Sequence, residues 1–235
     1  MTAPEIMQQL ASLGSETTKN VFLKHGAREP YFGVKVSDLK PIQKKIKKDY
    51  ELSKALYSTG NSDAMYLAGL IADEKAMTKE DLQSWARAAY WYMISEYTVA
   101  WVTAESRYGT ELALEWIDAD EENIAAAGWA TWANLVTIKP DAALDLQCLS
   151  SLLERVAKQI HLSPNRVRYT MNGFVIAVGC SVASLTSRAK EVAAAIGKVQ
   201  VDMGGTACKV PEASVYIHKV EQQNKIGRKK KTARC

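Results

Sequence analysis

Metal-binding side chains are scarce in this sequence: its 235 residues include three histidines and four cysteines. His25, His161 and His218 stand far apart, and Cys148, Cys180, Cys208 and Cys235 form no C-x-x-C pair. Zinc sites need ligands at short, repeated spacings, so no metal is expected, and scattered thiols suit a reducing, cytoplasmic setting. Long apolar runs are missing too. The longest, GFVIAVG from Gly173 to Gly179, falls far short of the roughly 20 residues a membrane-spanning helix requires. The opening MTAPEIMQQL has no basic stretch ahead of an apolar run and does not read as a secretory signal. Strand patterns are nearly absent, the exception being KVQVDMGGTACKV over 198–210, where alternating valines precede a Gly-Gly turn.

Charge is present but unevenly placed. The net charge is +4, yet the terminal stretch KIGRKKKTARC alone holds six basic residues and no acidic one, so the remainder is slightly acidic. This divides the chain into a body over 1–224 and a basic tail over 225–235. Such a tail is either a solvated extension or an arm whose lysines and arginines meet phosphates. In the second case the contacts are Lys225, Arg228, Lys229, Lys230, Lys231 and Arg234. A lesser basic cluster, KPIQKKIKK over 40–48, lies along one helix face.

The body reads as helix after helix. Apolar residues recur at three- and four-residue spacing in PEIMQQLASL, VSDLKPIQKKI, AMYLAGLIA and LQSWARAAYWYMISEYTVAWVTAES. The same period runs through EENIAAAGWATWANLV, ALDLQCLSSLLERVAKQI and RVRYTMNGFVIAVGCSVASL. Ser15, Ser37, Asp63, Thr78, Asp141 and Ser163 stand where helix-starting residues are expected, and Thr78 with Asp81 resembles a capping box. Seven or more helices joined by short loops predict an all-α protein, and stacked helical pairs fit the stripes of small residues better than a bundle.

Several segments, in their order, resemble the AlkD-like DNA alkylation repair family: GVKVSDLKPIQKKIKK, NSDAMYLAGLIAD, the aromatic helix around Trp91, AGWATWANLV and RYTMNGFVIAVG. The resemblance spans roughly 14–185. It implies HEAT-like helical pairs stacked into a curved right-handed superhelix with a concave, basic DNA-binding face. It also implies duplex DNA as partner, alkylated duplex included, and excision of cationic N3- and N7-alkylpurines by active members. No cofactor, metal or membrane is implied, and the oligomeric state is open.

Such excision needs aromatic faces for the cationic base and a carboxylate beside the sugar. The family pattern is a tryptophan followed one turn later by an aspartate. Trp91 matches the tryptophan, and Ser95 stands in the carboxylate position, where it is left only to hold a water. The family's backbone-gripping arginine falls at Thr131 and its second groove tryptophan at Phe174. On an α-helix Glu96 lies about 100° beyond Ser95, facing away from Trp91. Tyr90, Ile94, Tyr97 and Trp101 form the core stripe, and Trp129 and Trp132 are core as well. The expectation is therefore a DNA-binding scaffold with weak or absent excision. The alternative is a non-catalytic helical-repeat module that holds a protein or peptide in its concavity.

Overall fold

The computed structural model describes residues 1–234; Cys235, the end of the basic tail, lies outside them. Among the described residues every regular element is helical. The order is α1 (Ala3–Leu13), α2 (Glu16–Lys24), α3 (Val36–Ile46), α4 (Tyr50–Tyr57), α5 (Ser62–Ile71) and α6 (Lys79–Ala88). A π-helical segment (Met93–Val99) then runs directly into α7 (Ala100–Glu105). It is followed by α8 (Gly109–Trp116), α9 (Glu122–Ile138), α10 (Leu146–Gln159), α11 (Asn165–Ser181), α12 (Thr186–Ile196) and α13 (Ala213–Gln222).

Local chemistry sets the helix starts. Ser15 caps α2, and Thr78 caps α6 in a full capping box with Asp81. Asp63 does not cap: Asn61 caps α5, which frees the Asp63 carboxylate for another task. Asp63 is buried and accepts from the backbone N–H groups of Phe32, Gly33 and Val34, at 2.5, 3.0 and 3.0 Å, pinning the loop before α3. Asp145, rather than Asp141, caps α10. Ser37 lies inside α3, whose cap position is Lys35, and Pro164 follows Ser163 at the cap of α11.

The helices pair antiparallel into two rows. The inner row is α3, α5, the π-helical segment with α7, α9, α11 and α13, each packed on the next. The outer row includes α4, α8, α10 and α12, and the stack has the curved superhelical form expected. Small residues allow the closest approaches. A Cβ on Gly69 of α5 would lie 2.6 Å from Cγ2 of Thr98, so only glycine lets α5 sit this tightly on the π-helical segment. Trp129 of α9 meets Phe174 of α11 edge to face at 5.3 Å in the centre of the core.

Two segments frame the inner face. Along the N-terminal ends of the inner helices runs the loop 198–212, the one stretch expected to be non-helical. Asp202 exchanges two hydrogen bonds with Asn165 at the start of α11, and Gly204, at φ +68°, lies against the Lys24 carbonyl at the end of α2. Along the C-terminal ends runs the basic tail. It is packed, not a free arm.

Candidate nucleic-acid interface

The tail over 225–234 crosses the C-terminal ends of four successive inner helices in reverse chain order. Gly227 N–H donates to Cys180 O of α11 at 2.9 Å, and Lys230 N–H to Thr137 O of α9 at 2.8 Å. The Lys229 ammonium donates to Val136 O at 2.8 Å and pairs with Asp141 at 2.7 Å. Further along, Thr232 Oγ1 and Ala233 N–H both donate to the Glu105 carboxylate at the end of α7. Arg234 closes the strap: it donates to Ala72 O at the end of α5 and pairs with Glu74 and Glu105, while only 7% of its side chain is exposed. Helix C-termini carry unpaired carbonyls and partial negative charge, which is why basic residues settle there.

The same strap leaves other cations free of anionic partners. Lys225, Arg228, Lys230 and Lys231 are exposed, and none of them has an ion pair among the described residues. Six tail residues were expected to meet phosphates. Lys229 and Arg234 are instead spent on holding the strap, while the other four point outward. Lys44 of α3, Lys47 just after it and Lys139 after α9 join Lys231 around an open groove of about 980 Å³ at the C-terminal edge of the inner helices. Charge is therefore concentrated where the helix stack ends.

The inner face itself holds a second cavity, of about 300 Å³, floored by Ala130, Ala133 and Gly173 and walled by Tyr97 and Tyr169. Its carboxylate is Glu96. The π-helical segment explains the difference from expectation. A π-turn spaces its hydrogen bonds five residues apart, so one extra residue enters the turn and every later side chain rotates. Ser95 turns inward, 1% exposed, with its hydroxyl 3.5 Å from Trp91 O, and cannot present a water to a ligand. Glu96 takes the place on the inner face that an α-helix would have denied it.

Glu96 is not free there. Arg166 of α11 donates to both carboxylate oxygens, at 2.7 and 2.6 Å, and its guanidinium also lies over the rings of Tyr92 (4.3 Å) and Tyr169 (4.4 Å). Burial pushes the Glu96 carboxyl up to about 7, against the hydrogen bonds and charge of Arg166 that pull it down. Burial also weighs against charge on Arg166, but the Glu96 carboxylate outweighs it and the guanidinium stays protonated. Burial raises the Tyr92, Tyr97 and Tyr169 hydroxyls as well, so all three rings are neutral at pH 7. Two aromatic faces and a carboxylate make a seat for a cation. The protein's own arginine fills it.

The remaining expected site residues do not meet on this face. Trp91 packs on Phe22, Tyr31 and Ala27 in a small separate cluster, its indole N–H donating to His25 O at 2.7 Å, and it borders a cavity beneath the 198–212 loop. Thr131 is fully buried, its hydroxyl returned to Ala127 O, because an interior helix position leaves it no polar neighbour but its own backbone. Phe174 is fully buried against Trp129 and so is core, not groove. Tyr97 packs against the core, edge to face with Trp101, and its partly exposed side also walls the cavity, while Ile94, Trp101, Trp129 and Trp132 are buried as expected. Arg166 and Tyr169 escaped the sequence reading, although their three-residue spacing in RVRYTM places them on one helix face. No three His, Cys, Asp or Glu side chains come together as a metal site among the described residues, and no single helix is long and apolar enough to cross a membrane.

Comparison with known proteins agrees with the fold. The model of a family described as DNA alkylation repair enzyme matches residues 6–199. An uncharacterised protein of Listeria monocytogenes is 32% identical over 231 residues, covering 96% of this chain and 100% of its own length. A counterpart in Listeria innocua is 31% identical over 229 residues, covering 95% and 99%. One solved structure, described as a new family of proteins related to the HEAT-like repeat DNA glycosylases with affinity for branched DNA structures, superposes with a TM-score of 0.92. It is 40% identical, and the match covers 100% of both chains.

Proposed function

The chain belongs to the DNA alkylation repair enzyme family, and from that premise we propose that it binds branched DNA and does not excise bases. The observation that carries the binding half is the strap. Its docked backbone carries Lys225, Arg228, Lys230 and Lys231 exposed, with no ion pair to any of them among the described residues. Cations on a backbone docked in advance meet phosphates without the ordering cost of a free tail, and each contact releases counterions. Phosphate contacts position DNA without reading its sequence, so selectivity belongs to the shape of the DNA. The solved relative's affinity for branched DNA supports that choice of shape.

The excision half rests on Arg166. A cationic purine gains from aromatic faces and a nearby carboxylate, and here both are already engaged by a guanidinium. To enter, the base must displace a bidentate ion pair, leaving one buried charge unmatched, which costs about 3–5 kcal/mol. With Ser95 buried, no other carboxylate of the aromatic helix faces the cavity.

Fluorescence anisotropy with a labelled four-way junction and a linear duplex, each at two salt concentrations, tests the first half. Junction affinity above duplex affinity, falling steeply with salt, is expected. Release of 7-methylguanine or 3-methyladenine from alkylated duplex tests the second half, with no release expected. Absence of DNA binding would refute the binding half, and robust base release the other.

A further inference from the structure

Consecutive residues of the strap face different grooves. Lys230 lines the inner-face cavity, while Lys231 lines the larger edge groove with Lys44, Lys47 and Lys139. We propose that the strap is a divider between two phosphate tracks, one for each of two DNA arms that meet at a branch. This rests on the branched-DNA reading above and adds where the second arm lies.

Three observations carry it. First, alternation is built in. Lys229 is tied to Val136 O and Asp141 and the Lys230 backbone to Thr137 O, the chain bends at Lys231, and Lys230 and Lys231 come to line different cavities. Second, the edge groove is positive in net effect. Its two carboxylates, Glu74 and Glu105, are consumed by Arg234 and Lys48 from the protein itself. Lys44, Lys47 and Lys231 have no ion pair among the described residues, and Lys139 has only the Thr110 hydroxyl, at 3.3 Å. Third, the inner track is shaped for close approach. Gly173 sits inside α11, where glycine costs about 1 kcal/mol relative to alanine, yet a Cβ there would meet nothing within 4 Å. No protein packing requires that glycine. A low floor beside Lys230, Lys225 and Arg228 lets a sugar-phosphate backbone lie against the helix.

The edge groove and the inner-face cavity share only Arg234 of the strap among their lining residues. Two tracks kept apart in this way suit two arms better than two strands of one duplex.

Charge reversal in each track separates the possibilities. The edge pair is Lys139→Glu with Lys231→Glu, and the inner pair is Lys225→Glu with Lys230→Glu. Anisotropy titrations use a four-way junction and a linear duplex of equal arm length over a range of salt. The edge pair should weaken junction binding about tenfold and flatten its salt slope by about two, leaving the duplex within about twofold. The inner pair should weaken both DNAs. Lys44→Glu with Lys47→Glu, on the opposite wall, should repeat the edge result without touching the strap. Equal weakening of both DNAs by the edge variants would mean a single track, and no weakening would mean that the groove does not meet DNA. Either overturns the divider. Loss of all DNA binding by the unmodified protein would instead refute the branched-DNA reading itself.

Discussion

Glu96 is the residue on which most of the chemistry turns, because its charge sits buried between one arginine and three tyrosines. Only 3% of its side chain is exposed, and burial holds its carboxyl at about 7 in the folded protein, against the usual 4.5. Between those values the folded state binds a proton that the unfolded chain has lost, so stability falls as pH rises. The contribution is fully present below about pH 4.5 and is lost as pH passes 7, amounting to about 3 kcal/mol at most. Thermal melts of the wild type and of Glu96→Gln between pH 5 and 7.5 test this. The wild type should lose stability across that window more steeply than the variant. Parallel curves would mean that Arg166 keeps the carboxylate ionised throughout.

At the scale of elements, the strap turns a run over 225–234 that looks like a soluble tail into structure. Arg234 is its keystone, since it alone satisfies Glu74, Glu105 and the Ala72 carbonyl together. Arg234→Ala leaves two largely buried carboxylates short of a partner and should cost about 3 kcal/mol in chemical denaturation. A change below about 0.5 kcal/mol would mark the contact as a solvated surface pair. None of this docking was legible in the sequence. A run such as GRKKKTAR has no apolar period, and its partners are helix-end carbonyls and acids lying some 50 to 160 residues earlier in the chain. The helices were legible, because their three- and four-residue periods and caps such as Ser15 and Thr78 are local signals. The candidate site was less so. Placing Glu96 requires knowing that Met93–Val99 is π-helical, and nothing in MISEYTV announces it; the choice follows from how the segment packs on α5 and α9. Assigning Ser95 to the groove assumed a regular α-helical register, whereas Thr131 and Phe174 came from the family pattern and are turned into the core by the packing of the regular helices α9 and α11.

The whole molecule departs from the usual behaviour of a helical stack. In an open array each pair of helices touches only its neighbours, so the ends can fray independently of the middle. Here the C-terminal third reaches back along both rims. Arg234 binds the end of α5, and Gly204 rests on the end of α2, so the last elements are tied directly to the first repeats. Closing the array this way couples distant repeats and should make unfolding cooperative. Far-ultraviolet dichroism and tryptophan fluorescence should then report one coincident transition in urea for the full chain. Removing residues 225–235 cuts one of the two ties and uncovers Glu74 and Glu105. The truncated protein should show a lower midpoint, and the two signals should separate as the N-terminal repeats open before the α9–α11 core. It should also bind DNA more weakly with a flatter salt slope, since Lys225, Arg228, Lys230 and Lys231 leave with the strap. The two effects can be told apart by Arg234→Ala, which loosens the strap but keeps those four cations. If Arg234→Ala reproduces the stability loss while retaining most of the salt slope, the strap acts as a fastener and a phosphate track at once. If it loses both equally, the cations meet DNA only when the strap is docked.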